Sequence, residues 1–100
     1  MKEKAPIKDG LTQNNYSFTF KEHEYKYVIQ EPTFEQLAAA LTEATKTGKT
    51  DVLAGGKTIW ELCCVSYDEK IDKDARILVA ICANLFENYV MTVDIDIKKN

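Results

Sequence analysis

A Gly-Gly-Lys-Thr stretch at residues 55–58 has the residue types of a phosphate-binding loop. Such a loop requires Gly-x4-Gly-Lys-Ser/Thr between a strand and a helix, because its backbone N–H groups must turn toward the phosphates. The position five residues before Gly56 holds Asp51 instead of glycine, and no predicted strand precedes it. The sequence therefore favours a packing role, in which Gly55 and Gly56 let a helix approach a neighbour closely.

Three cysteines, Cys63, Cys64 and Cys82, are the residues best suited to bind metal or act as nucleophiles. A structural zinc site needs four ligands, commonly with two-residue gaps, whereas this chain has one histidine and no Cys-x2-Cys pair. A reactive thiolate needs an exposed, cationic setting. Helical spacing instead places Cys63 and Cys82 on apolar faces and Cys64 at the border of one, which predicts reduced core thiols and no metal.

One histidine and two aspartates are the remaining candidates for a catalytic base or a cation site. His23 lies between Glu22 and Glu24, which could tune it as a base, but it falls at a predicted hairpin turn. Asp94 and Asp96 would share one face of a strand, either as a carboxylate pair that binds a cation or as its solvent-facing side. The sequence predicts no catalytic residue and no cofactor.

The N-terminal part predicts a β-hairpin, because apolar and polar residues alternate over residues 16–20 and again over 25–29. The turn is expected at Glu22 and His23. Residues 1–15 are expected to be a flexible tail, and residues 16–100 a single α+β domain.

Three helices are predicted in the middle of the chain. Thr33 followed by Gln36 forms a capping-box pattern, which predicts a first helix from Thr33 to about Gly48. Asp51 can cap a second helix, and residues 75–87 form a third. Phe34, Leu37, Ala38, Leu41 and Ala44 are predicted to form the inner face of the first helix.

The third helix is apolar around most of its circumference. The side chains of Ile77, Ile81 and Leu85 cannot all lie on the narrow stripe that faces one neighbouring element. This predicts that these three residues form an interface through which the protein self-associates. Residues 89–98 alternate apolar and polar and predict a C-terminal strand. The expected fold is therefore α+β: an N-terminal antiparallel β-hairpin, three packed α-helices and a C-terminal strand.

Charge and composition exclude several classes of function. The 100-residue chain is 45% hydrophobic and 29% charged, with a net charge of -3, so it has no basic stripe for nucleic acid. No apolar run approaches the roughly 20 residues that span a bilayer, and no apolar signal-peptide core is present. We expect a cytoplasmic protein that binds neither nucleic acid nor membrane.

The order of these features resembles a known class. "FTFKEHEYKYVIQEPTFEQLAAAL", "DVLAGGKTIWELCCV" and "DEKIDKDARILVAICANL" together are similar to the tail assembly chaperones of phage and prophage tail modules. The resemblance implies a non-enzymatic oligomer in the bacterial host cytoplasm. It also implies a protein partner: the tape measure protein, held soluble during tail assembly, or the tail tube protein.

Two other interpretations stay open. The chain could be a small structural or adaptor protein of a phage particle or another multiprotein machine. It could also be a minor enzyme or ligand-binding domain, which would have a polar pocket at the face of the sheet.

Overall fold

The computed structural model describes residues 2–3 and 10–91. The strands are β1 (Lys2–Glu3), β2 (Gln13–Phe20), β3 (His23–Gln30) and β4 (Cys64–Tyr67). The α-helices are α1 (Phe34–Thr45), α2 (Val52–Cys63) and α3 (Ala75–Phe86), with a 3-10 helix (Glu69–Lys73) before α3 and a π-helix (Glu87–Met91) after it.

The four strands form one antiparallel sheet in the order β1-β4-β3-β2. Helices α2 and α3 pack together, and α1 packs on α2. The predicted mixture of an antiparallel sheet with three packed helices is therefore confirmed. The strand β4 was not predicted, because the sequence pattern continued α2 through Cys64, where the backbone instead becomes extended.

The hairpin turn lies one residue earlier than predicted. Phe20 pairs with His23, so the two loop residues are Lys21 and Glu22, with φ of 50° and 68°. Two consecutive positive φ values are typical of the type I′ turn, whose twist matches that of the flanking strands. His23 is therefore the first residue of β3, and β2 begins at Gln13, earlier than the predicted strand.

Both predicted helix starts are confirmed by their caps. The backbone N–H of Gln36 donates to Oγ1 of Thr33 at 3.2 Å, and the N–H of Thr33 donates to Oε1 of Gln36 at 2.9 Å. The N–H of Ala54 donates to Oδ1 of Asp51 at 3.0 Å. These side chains satisfy N–H groups that the first turn of a helix leaves without partners.

The core lies between the inner face of the sheet and the helices. Its centre is aromatic: the rings of Trp60 and Tyr67 are 5.1 Å apart, and those of Tyr27 and Trp60 are 5.8 Å apart, both edge to face. Tyr16 of β2 stacks on Tyr27 at 5.1 Å. The sheet and α2 are thus joined by ring contacts that follow from the alternation of aromatic residues in the strands.

The two ends of the chain differ from the sequence prediction in part. Lys2 and Glu3 pair with Tyr67 and Ser66 of β4, within the predicted tail. Residues 89–91 lie in the π-helix and not in a strand. The rest of the predicted C-terminal strand, with Asp94 and Asp96, lies outside the described residues.

Candidate functional site

The Gly-Gly-Lys-Thr stretch lies inside α2 and makes no phosphate-binding loop. The N–H of Gly55 donates to the carbonyl of Asp51 at 3.2 Å, as in a regular helix. A Cβ atom at Gly55 would overlap the ring of Phe86, and one at Gly56 would overlap the backbone carbonyl of Cys82. The predicted packing role of the two glycines is confirmed, since they let α2 touch α3.

The cysteines are buried thiols. The Sγ of Cys63 donates to Oε1 of Gln36 at 3.4 Å, and that of Cys64 to the carbonyl of Ser66 at 3.5 Å. Burial, followed by the charge of Glu61, raises the pKa of the Cys82 thiol to about 11. The environment of Cys82 thus favours the thiol over the thiolate, which disfavours nucleophilic chemistry there.

Across residues 2–3 and 10–91, no three histidine, cysteine or carboxylate side chains come together in a way that could hold a metal ion. His23 is exposed at the start of β3.

The predicted interface residues are part of the core. Ile77, Ile81 and Leu85 are 3%, 3% and 0% exposed. Their side of α3 packs toward the sheet and α2, so these side chains are covered within one chain. A side chain buried in its own chain cannot also contact a partner, and the prediction that these three residues form an interface is corrected. The opposite side of α3 carries the exposed apolar residue Val79.

An exposed apolar stripe runs along α1. Phe34 is 80% and Leu41 50% exposed, and Ala38, between them on the same face, is exposed as well. We call Phe34, Ala38 and Leu41 the α1 stripe. The buried side of α1 instead carries Ala40 and Ala44.

The α1 stripe corrects the predicted orientation of this helix. Phe34, Ala38 and Leu41 were expected to face inward but are exposed, whereas Ala44 is buried as predicted. Ala44 lies against Gly55 of α2, because small residues permit close contact between the two helices. The π-helix, which contacts α1, carries the exposed Met91. Exposed apolar side chains gathered on one helix are typical of a protein-binding surface.

The start of α1, beside Phe34, is acidic. Glu31 and Glu35 are exposed before and in the first turn of the helix, whereas Glu43 lies on the other side of α1, beside α2. Lys46, at the end of the helix, lies 3.9 Å from Glu43. A partner of this surface would therefore match it best with apolar side chains flanked by basic ones.

The second notable surface is the outer edge of β2. This eight-residue strand, QNNYSFTF, contains no charged residue and no proline, and it pairs with β3 without a bulge. Among the described residues, no strand pairs with its other edge. We call this the β2 edge.

A groove of about 340 Å³ adjoins the β2 edge on the inner side of the sheet. It lies between β2 and α3, and we call it the β2–α3 groove. Its lining is mostly aromatic and aliphatic, and is formed by Tyr16, Ser17, Phe18, Tyr27, Ala80, Ile81 and Asn84. No sequence pattern indicated it, because it forms where two segments distant in sequence meet.

A polar cluster joins the π-helix to β2. The hydroxyls of Tyr16 and Tyr89 are 2.6 Å apart, and Nδ2 of Asn14 donates to the Tyr89 hydroxyl at 2.9 Å. Nδ2 of Asn14 also donates to Oε2 of Glu31 at 2.9 Å. Burial and the hydrogen bond between its hydroxyl and that of Tyr16 raise the pKa of Tyr89. The cluster favours the neutral form of the Tyr89 hydroxyl and fixes the end of α3 to the sheet.

Each described α-helix has 12 residues, and none within that part of the chain combines the length and apolar character needed to cross a bilayer. Comparison of the chain with known proteins gives no matching family model, no matching curated protein and no matching solved structure.

Proposed function

We propose that this chain is a non-enzymatic protein-binding domain of the phage tail assembly chaperone type. Its partner is an apolar segment of the tape measure protein, which it keeps soluble in the bacterial cytoplasm while the tail assembles. The observation that carries this proposal is the α1 stripe, where Phe34 is 80% exposed. The proposal also rests on the sequence resemblance of residues 16–87 to that class.

The energetics of the α1 stripe fit a chaperone. Burying an exposed phenylalanine or leucine side chain against a partner contributes about 1.5 to 3 kcal/mol. Phe34 and Leu41 lie one above the other on α1, so both can contact a single partner segment. Two such anchors give binding that is reversible, as a protein that releases its client must have.

The charge around the stripe supports the choice of partner. The chain has a net charge of -3, and Glu31 and Glu35 lie before and in the first turn of α1, beside Phe34. A client segment that carries lysine or arginine beside its apolar residues is attracted to this surface, and acidic segments are repelled. Binding is therefore expected to weaken as the salt concentration rises.

The test is affinity capture of fragments of the tape measure protein encoded in the same tail module. Phe34→Ala is expected to weaken capture at least tenfold, the equivalent of about 1.4 kcal/mol, without changing the melting temperature. Leu53→Ala removes an exposed leucine from α2, outside the stripe, and is the matched control. Equal capture by wild type and Phe34→Ala would refute the role of the stripe.

The alternative is a structural or adaptor protein of the particle. Mass spectrometry of purified, complete particles distinguishes the two, because a chaperone leaves before assembly ends. Recovery of this chain in stoichiometric amounts from complete particles would contradict the chaperone proposal.

A further inference from the structure

We propose that two copies of this chain associate through their β2 edges, in an antiparallel pairing centred on Ser17 that joins the two sheets into one. This surface lies on the sheet and α3, apart from the α1 stripe. The inference therefore stands whether or not the tape measure protein is the client.

The direction of the backbone groups in β2 follows from the hairpin turn. In a two-residue hairpin, the residues that flank the loop exchange both backbone hydrogen bonds, so Phe20 and His23 form such a pair. Pairs then alternate along an antiparallel ladder. The backbone N–H and C=O groups of Phe18 and Tyr16 therefore form hydrogen bonds with β3, whereas those of Ser17 point away from it.

Two hydrogen bonds support this alternation. The N–H of Glu31 donates to the carbonyl of Thr12 at 2.7 Å, which continues the bonded series at the even-numbered positions. Lys26 lies opposite Ser17. The backbone carbonyl of Lys26 accepts a hydrogen bond from the backbone N–H of Asp68 at 2.9 Å, on the side away from β2. The outward-pointing groups of β2 are therefore those of Gln13, Asn15, Ser17 and Thr19.

An edge of this kind invites pairing with another strand. Natural sheets protect their edge strands with charged side chains, prolines or bulges, because a row of exposed backbone donors and acceptors binds any strand that fits. Strand β2 has none of these protections over residues 13–20.

The strand is complementary to a second copy of itself. With Ser17 opposite its own counterpart, Asn15 lies opposite Thr19 on the outer face, and Tyr16 lies opposite Phe18 on the inner face. Polar side chains thus meet polar ones and aromatic rings meet rings, and no charge meets a like charge. The three outward residues Asn15, Ser17 and Thr19 supply about six hydrogen bonds between the copies.

The α3 surface beside this edge also fits a second copy. Ala80 is exposed on α3 and lines the β2–α3 groove, together with Asn84 one turn further along the helix. Joining the sheets brings the α3 helices of the two copies to the same side of one continuous sheet. The groove then receives the aromatic side chains of the second β2, which covers apolar surface that one chain leaves open.

The first test is the mass of the full-length protein by light scattering. Wild type is expected at twice 11.4 kDa. Ser17→Pro removes an outward N–H but no bond to β3, and should weaken association at least tenfold. Ser17→Ala keeps that N–H and should stay dimeric. A monomeric wild type, or a Ser17→Pro protein that associates as well as Ser17→Ala, overturns the proposal.

A helix variant separates loss of pairing from damage to the strand. Ala80→Glu places a charge in the groove without changing β2 and should also give monomers. Ala75→Glu makes the same change at an exposed position of α3 outside the groove, and should stay dimeric. If Ala80→Glu stays dimeric, the proposal is wrong.

Amide hydrogen exchange identifies what covers the edge. The amides of Asn15, Ser17 and Thr19 should be protected at high protein concentration and exposed on dilution, while those of Tyr16 and Phe18 stay protected at both. Protection that persists on dilution and disappears when residues 92–100 are deleted would assign the edge to the chain's own C-terminal segment, and would overturn the proposal.

Discussion

The Cα of Gly56 in α2 lies against the backbone carbonyl of Cys82 in α3, so closely that no Cβ can be added between them. This contact sets the distance between the two helices that cover the sheet. It also explains why a residue of low helix propensity lies in the middle of α2, where alanine would be favoured by about 1 kcal/mol if packing allowed it.

Gly56→Ala should therefore lower the free energy of unfolding by about 3 kcal/mol, since overpacking against backbone cannot be relieved by a rotamer change. Urea denaturation measures it. Lys57→Ala, at the next and exposed position, should change stability by less than about 0.5 kcal/mol. A Gly56→Ala protein as stable as wild type would contradict the contact.

Cys82 should resist alkylation in the native protein. Its pKa of about 11 leaves little thiolate at pH 8, and its side chain is buried. Mass spectrometry after iodoacetamide treatment should find Cys82 unmodified in the native protein and modified in urea. Modification of Cys82 under native conditions as fast as in urea would mean that α3 is open to solvent.

The fold should lose stability at alkaline pH through Tyr27. Burial, then the nearby Tyr16, raises its pKa from 10.0 to about 12. A folded-state pKa above the unfolded value means that the stabilisation is complete below pH 10 and is lost as the pH rises through about 12.

This rise of two pKa units corresponds to a loss of on the order of 2 kcal/mol in the free energy of unfolding. Urea denaturation between pH 9 and 11.5 measures that loss. In Tyr27→Phe, the free energy of unfolding should fall less as the pH rises. A decline of the same size in Tyr27→Phe would exclude this tyrosine as its cause.

The hydroxyl pair of Tyr16 and Tyr89, 2.6 Å apart, should couple the π-helix to β2. Substitution of either tyrosine with phenylalanine should lower the free energy of unfolding by about 1 kcal/mol. The double variant should cost less than the sum of the two, because both lose the same hydrogen bond. Strict additivity would show that the hydroxyls do not interact in solution.

Short-range sequence signals were sufficient to predict the local elements of this protein. The capping box at Thr33 and Gln36, the cap at Asp51 and the alternation of β2 and β3 are short-range signals, and each was confirmed because the interactions involved lie within a few residues. The two glycines of α2 were correctly assigned to packing, since a side chain of zero volume has few other uses in a helix.

Which face of α1 and of α3 is buried could not be predicted, because it depends on contacts between elements that are distant in the sequence. In α1 the large Phe34 faces solvent and the small Ala40 faces α2, and in α3 Ile77 faces the core. Helical periodicity places apolar residues on a common side, but it does not predict how closely the neighbouring helix packs. Between α2 and α3 that distance is set by the contact of Gly56 with Cys82, and between α1 and α2 by the contact of Gly55 with Ala44.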